Sequence, residues 1–255
     1  MTWKINECSI LQNSAKIFQN GLIHGYRTFF TSALSKKKKK GEKKNENLYL
    51  FVLRYIELKN SLRVLLVSDP QAKTSGAALD IKIGSFHDPV HLQGLAHLCE
   101  HVLFTGSEVF PNESYSAFLG QRGGSSNAFT ISEHTNFHFE VPSEHFLDSL
   151  IRFVSFIKCP ILRESSIQNE LEIIQSEHEK NKFNDVWRTN QVERATSNPF
   201  HVFSHFSTGT RQTLTVEKGA ERSLRYELFQ FFRYVQKSWK CVHLYCGLRR
   251  VMIDI

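Results

Sequence analysis

The sequence predicts an α+β fold, a mixed or antiparallel sheet flanked by helices, and three observations predict it. Short β-type runs crowd the first part of the 255-residue chain. Apolar residues at three- and four-residue intervals dominate the part beyond Pro142. No regular βαβ alternation joins the two, which argues against a doubly wound parallel sheet.

The elements follow in order. Leu62–Val67 (LRVLLV) and Ala77–Ile83 (AALDIKI) read as strands, separated by the turn-forming Ser68-Asp69-Pro70. Gly94 to Leu103 reads as a helix ending near Gly106. Thr135, Phe137, Phe139 and Val141 alternate with Asn136, His138 and Glu140, the pattern of a half-buried strand. Phe146, Leu147, Leu150, Ile151 and Val154 then recur at helical spacing. Ser165 or Ser166 is placed to cap a second long helix, with Ile167, Leu171 and Ile174 as its apolar face. A third helix, carrying Leu224, Leu228, Phe231, Phe232 and Val235, leads into a strand at Cys241–Tyr245. Residues 1–47 read as an irregular, lysine-rich extension, and 48–247 as the folded domain.

Composition excludes several classes. With 41% hydrophobic residues, 21 Phe, 13 Gly and 6 Pro, the chain is neither collagen-like nor disordered throughout. No apolar run approaches the length needed to cross a bilayer, and Glu7, Gln12 and Asn13 interrupt any secretory h-region. The net charge of +7 resides almost wholly in residues 36–44 (KKKKKGEKK), without which the chain is nearly neutral. That run reads as a solvated tether, not as a nucleic-acid-binding surface. Five cysteines, odd in number and never in a CxxC pair, fit reduced thiols in the cytoplasm better than a disulfide framework or a thiolate metal site. The acid-poor N-terminal stretch has some character of a mitochondrial presequence but no amphipathic Arg helix.

The segment that carries chemistry is His97-Leu98-Cys99-Glu100-His101. On a helix, positions i, i+3 and i+4 share an arc of about 100°, so His97, Glu100 and His101 occupy one face. Two imidazoles one turn apart can reach one divalent ion, and the carboxylate between them can reach a water beside it; this is the inverted zincin order HxxEH. The competing reading is two surface histidines on an amphipathic helix. A catalytic zinc needs a third protein ligand, and Glu170, Glu172, Glu177 and Glu179 cluster on the second long helix. Spacing alone does not choose among them.

Four stretches, GLAHLCEHVLFTGSEVFP, GGSSNAFTISEHTNFHFEV, NELEIIQSEHEKNKFNDVWR and ATSNPFHVFSHFSTG, resemble the catalytic domain of the pitrilysin-type inverzincin metallopeptidases, in the insulysin branch. The resemblance runs from about Tyr55 to about Gly209. It implies one Zn²⁺ per chain, held by His97, His101 and Glu177, with Glu100 as general base and Glu170 as a supporting carboxylate. It further implies that Asn127 and Ala128 lie on an edge strand that pairs with peptide substrates. Phe104, Phe129 and Trp187 match an apolar pocket for the residue after the scissile bond, although plain core packing suits them equally. His134 and His138 fit a polar strand face, His201 and His205 a loop, and Cys99 a buried thiol.

Members of that family are several times longer, with four related domains whose halves close around the substrate. The resemblance covers the first domain only, and residues 248–255 do not continue it. Two functions are therefore expected as alternatives. One is a zinc endopeptidase, active alone or with a second half-chamber subunit or homo-oligomer. The other is a catalytically weak zinc- or peptide-binding domain that needs such a partner.

Overall fold

The computed structural model of the chain describes residues 27–35, 50–58, 60–216, 222–237 and 243–248. Seven strands form one sheet: β1 (Arg27–Ser35), β2 (Leu50–Glu57), β3 (Arg63–Ser68), β4 (Thr74–Ile81), β5 (Ser125–Thr130), β6 (Thr135–Pro142) and β7 (His243–Leu248). Their order is β1-β2-β3-β7-β4-β6-β5. β3 and β7 run parallel and every other neighbouring pair is antiparallel, so the sheet is mixed as expected. β5 stands at one edge.

Six α-helices are described: α1 (Leu95–Leu103), α2 (Tyr115–Gly120), α3 (Phe146–Lys158), α4 (Glu164–Asn181), α5 (Asp185–Thr196) and α6 (Leu224–Lys237). Period-two alternation on the central strands decides where the core lies. Ala77, Leu79 and Ile81 of β4 and Phe137, Phe139 and Val141 of β6 are buried, with Leu79 opposite Phe137 and Ala77 opposite Phe139. Against this face pack Leu95, Leu98 and Val102 of α1, Phe153 and Phe156 of α3, Ile167, Leu171 and Ile174 of α4, and Leu228 of α6. Aromatic rings fill the middle: Phe153 lies 5.1 Å from Phe139 and 5.2 Å from Phe156, ring centre to ring centre. Such edge and tilted contacts contribute about 0.5–1.5 kcal/mol each beyond area burial.

The differences from the sequence reading have local causes. Strand β1 lies within the stretch read as irregular, pairing with β2 from Arg27↔Glu57 to Ser35↔Leu50. β4 begins at Thr74, three residues early, because Ser75 and Gly76 pair with Val141 and Glu140. It stops at Ile81, after which Ile83 N–H turns back to Ile81 O. Neither Ser165 nor Ser166 caps α4. The helix starts at Glu164 after an N-cap at Arg163, whose carbonyl takes the first helical bond from Ile167, while its guanidinium reaches Pro111 O at 2.8 Å. The final strand is His243–Leu248. Its expected start at Cys241 and the lysine run at 36–44 lie outside the described residues.

Candidate metal centre

Helix α1 exists because Leu95, Leu98, Val102 and Leu103 are essentially fully buried, which leaves His97 and His101 on the opposite arc. Its N-terminus has no local side-chain cap. Instead Asp88 reaches in from upstream: its carboxylate accepts from Gly94 N–H and Ala96 N–H, each at 2.7 Å. Two of the four free donors of a helix start are thereby satisfied. Burial pushes the Asp88 carboxyl up to about 7, against the pull of the backbone donors of Ala96, Gly94 and Leu95. Gly94 sits at φ 98°, in the left-handed region, and a Cβ there would fall 2.2 Å from Gly209 Cα. Only glycine permits that approach.

The two imidazoles meet edge to face, with ring centres 4.7 Å apart and their Nε2 atoms 3.2 Å apart. Each Nδ1 has an acceptor on its far side. His97 Nδ1–H donates to Thr208 O at 2.7 Å, and His101 Nδ1–H donates to Glu170 Oε2 at 3.0 Å. A carbonyl and a carboxylate only accept, so both neutral rings carry their proton on Nδ1 and turn an Nε2 lone pair toward one point. Glu177 Oε2 lies 3.7 Å from His97 Nε2 and 3.9 Å from His101 Nε2. These three residues form the group among the described ones whose ligand atoms lie within 4.8 Å of one another.

The donor set can be tested against a metal. Tetrahedral zinc with bonds of about 2.0–2.2 Å separates its ligand atoms by about 3.3 Å. The nitrogen pair fits that value. The carboxylate stands a few tenths of an ångström wide on a half-exposed side chain that can close the gap. Two lone pairs at 3.2 Å repel unless a cation or proton lies between them, so the residues fit a divalent cation.

Glu100 lies beside the histidines and is buried. Its Oε2 accepts from Thr130 Oγ1 at 2.5 Å, which ties α1 to the edge strand. Burial raises the Glu100 carboxyl above its ordinary value, against the Thr130 hydrogen bond and the charges of His97 and His101. For His101, burial disfavours the imidazolium, but the Glu170 hydrogen bond and the charges of Glu177 and Glu100 outweigh it, so the ring titrates above its ordinary value. Cys99 is buried, and burial with the charges of Glu100 and Asp88 pushes its thiol up to about 12, leaving essentially no thiolate at neutral pH.

The remaining predicted residues divide. Asn127 and Ala128 lie on β5 opposite His138 and Phe137, Asn127 exposed and Ala128 packed against the core. Phe104 packs its ring among Tyr115, Phe137 and Phe156. Phe129, one residue beyond Ala128, projects from the other side of β5 toward His138, and Trp187 is exposed on α5. No ring contact joins the three. His134 pairs with Asp80 at 2.8 Å, and His201 caps a 3₁₀ turn. Asp88, Thr130 and Thr208 were not singled out from the sequence. For Thr130 a signal existed, since it stands two residues after Ala128 and strand alternation puts both on the helix-facing side.

An α+β domain whose HxxEH helix is faced by a glutamate from a distant second helix is an inverted-zincin domain in its arrangement. The crystal structure of pitrilysin superposes on 87% of this chain and 23% of its own, with a TM-score of 0.75 at 29% identity. The family description Insulinase (Peptidase family M16) matches residues 63–200, and the chain belongs to that family. The human insulin-degrading enzyme is 49% identical over 204 residues, 79% of this chain and 20% of its own length. The A-factor-processing enzyme of Saccharomyces cerevisiae is 46% identical over 182 residues, 71% and 18% respectively. The chain thus spans about a fifth of the relatives it matches.

Proposed function

We propose that this chain is a zinc-dependent endopeptidase domain of the insulin-degrading-enzyme type, cleaving peptides laid along β5. The observation that carries the reading is the convergence of His97 Nε2, His101 Nε2 and Glu177 Oε2 on one point beside the buried Glu100. Zinc bound there supplies Lewis-acid polarisation of a scissile carbonyl and a water whose pKa falls toward ~7.

The chain's own residues supply the rest. Glu100, raised by burial toward working pH, takes a proton from the attacking water and returns it to the leaving amine. Thr130 fixes its carboxylate, and Glu170 fixes the His101 ring. Among the described residues β6 pairs with one side of β5 and no strand covers the other, so that side is offered to an extended peptide, which near Asn127 and Ala128 would displace the Asn127 Oδ1 that now accepts from Ala128 N–H at 2.9 Å. Phe129 and Trp187 are exposed enough to meet a substrate side chain, with Phe104 backing the site from the core.

A quenched fluorescent peptide incubated with the purified chain, with and without chelator, tests this reading. Cleavage that chelator abolishes and Zn²⁺ restores is expected. Cleavage that is unaffected by chelator, or that persists in Glu100→Gln, overturns it.

A second reading is a zinc- and peptide-binding domain that is catalytically weak until a second half-chamber subunit, or another copy of the chain, joins it. Helix α5 favours it. Arg194 is its one buried residue, and Val186, Trp187 and Val192 are exposed on it, flanked by Phe183 at 87% and Phe200 at 97% exposure. Stoichiometric zinc uptake without hydrolysis identifies this second case. In either case the folded unit is proposed to be residues 48–247 extended by strand β1 (Arg27–Ser35), which pairs with β2, and by Leu248 at the end of β7, with a cytoplasmic location and no role in nucleic-acid binding. No described helix is long and apolar enough to cross a membrane.

A further inference from the structure

The segment 203–213 touches three helices, α1, α4 and α5. From α5, Arg194 enters the protein and stays there: it is 7% exposed. Its Nη1–H donates to Phe203 O and His205 O, both at 3.3 Å, and its Nε–H to Asn190 Oδ1 at 3.0 Å. The guanidinium also lies 4.9 Å from the Phe203 ring centre. Toward α1, Phe206 N–H donates to Gln93 Oε1 and Thr213 Oγ1–H donates to Gln93 O, each at 2.8 Å. Gly209 abuts Gly94, and Thr208 O receives the His97 Nδ1 proton. Toward α4, Phe206 meets the His178 ring at 5.5 Å, Arg211 N–H donates to Gln175 Oε1 at 3.0 Å, and the Arg211 guanidinium pairs with Glu172. One strap therefore braces the helix bearing both histidines against the helix bearing Glu177.

We infer that Arg194 is a positioning residue for His97: by gripping the carbonyls of Phe203 and His205 it fixes the strap that presents the Thr208 carbonyl, and so holds the His97 ring with Nε2 turned toward Glu177. The inference rests on the reading of His97, His101 and Glu177 as a metal centre. A buried arginine fits this task, because its planar guanidinium aims Nε–H at Asn190 of its own helix and Nη1–H at the two strap carbonyls in one fixed geometry, which a flexible ammonium does not pre-set. It is costly to bury such a charge without a function for it. Arg194 touches neither substrate nor metal position, so its effect passes wholly through the strap.

The test uses the full chain, metal-free, in four forms: wild type, Arg194→Ala, Arg194→Lys and Tyr115→Phe. The last removes a hydrogen bond from Tyr115 of α2 to Ser149 O of α3 while leaving its ring in place, and controls for general loosening. Zinc affinity is read by competition with a chromophoric chelator, and the Co²⁺ absorption spectrum reports ligand geometry. Long-range proton–nitrogen NMR of the metal-free imidazoles reports the His97 tautomer independently of any metal.

Arg194→Ala is expected to bind zinc roughly 10–100-fold more weakly, the usual loss when support behind a ligand is removed. Its His97 is expected to lose the Nδ1–H tautomer, with partial recovery of both readouts in Arg194→Lys and no change in Tyr115→Phe. If Arg194→Ala fails to fold, Arg194→Lys alone must weaken zinc and perturb the His97 signal. Wild-type affinity with an unchanged His97 tautomer in a folded Arg194 variant overturns the inference. A wild-type chain that binds no zinc overturns the metal reading instead, and the NMR comparison then decides the role of Arg194 by itself.

Discussion

Thr130 Oγ1 lies 2.5 Å from Glu100 Oε2, so the hydroxyl of an edge strand holds the carboxylate beside the two histidines. That hydrogen bond lowers the proton affinity of Glu100 against the upward push of burial. Thr130→Val keeps the shape and removes the donor. A hydrogen bond to a charged group contributes about 1.5–3 kcal/mol, equivalent to about one to two pH units. The Glu100 carboxyl rises further, its ionised fraction at neutral pH falls, and the acid limb of kcat/KM is expected to move to higher pH by that amount. A pH–rate profile of peptide cleavage checks it.

The three glutamates around the histidines should fail in different ways. Glu100→Gln is expected to retain zinc and lose hydrolysis. Glu177→Gln is expected to lose zinc on dialysis, because a ligand oxygen is gone. Glu170→Gln leaves the ligands intact but replaces the charged acceptor of the His101 Nδ1–H hydrogen bond by a neutral amide, so affinity should fall, by up to roughly 10–100-fold. Metal content after dialysis, beside a peptide assay on each variant, separates the three.

Asp88 makes fold stability depend on pH. Its folded value of about 7 stands above the ordinary carboxylate value of 3.8, so between those values the folded chain binds more protons than the unfolded one. The stabilisation from protonated Asp88 is full below the unfolded value and is lost as pH rises through about 7. Asp88→Asn cannot ionise. Its chemical-denaturation midpoint is expected to fall less than that of wild type between pH 5 and pH 8.

Two glycines should respond oppositely to alanine. Gly94→Ala must adopt φ near 98° and displace Gly209; the left-handed backbone alone costs about 1–2 kcal/mol. At Gly120, the last residue of α2, an added Cβ meets nothing within 4 Å, and helix propensity favours alanine by part of the about 1 kcal/mol it is worth in a helix interior. Thermal melts should show Gly94→Ala well below wild type and Gly120→Ala at or above it.

What the sequence disclosed depended on burial. The strand containing Phe137 and Phe139 and the helix of Phe146 to Val154 were legible because one side of each is packed and the period survives in the residue pattern. Helix α5 was not, because with only Arg194 buried it has no apolar stripe to print. Strand β5 (SSNAFT) sits at the sheet edge with every residue partly or wholly exposed, which removes the same signal. The pair His97 and His101 was visible from spacing alone. Asp88, Thr130 and Thr208 support that face from positions whose nearness only the folded chain creates.

The open margin of the sheet has a consequence for handling the protein. Six residues of main chain along Ser125–Thr130 have hydrogen-bonding groups with no neighbouring strand on one side among the described residues, and such a border accepts any extended segment, including one from an identical molecule. Polar Ser125 and Asn127 and the short length limit that tendency without abolishing it. Concentrated preparations are therefore expected to self-associate through this border, and a bound extended peptide should keep them dispersed.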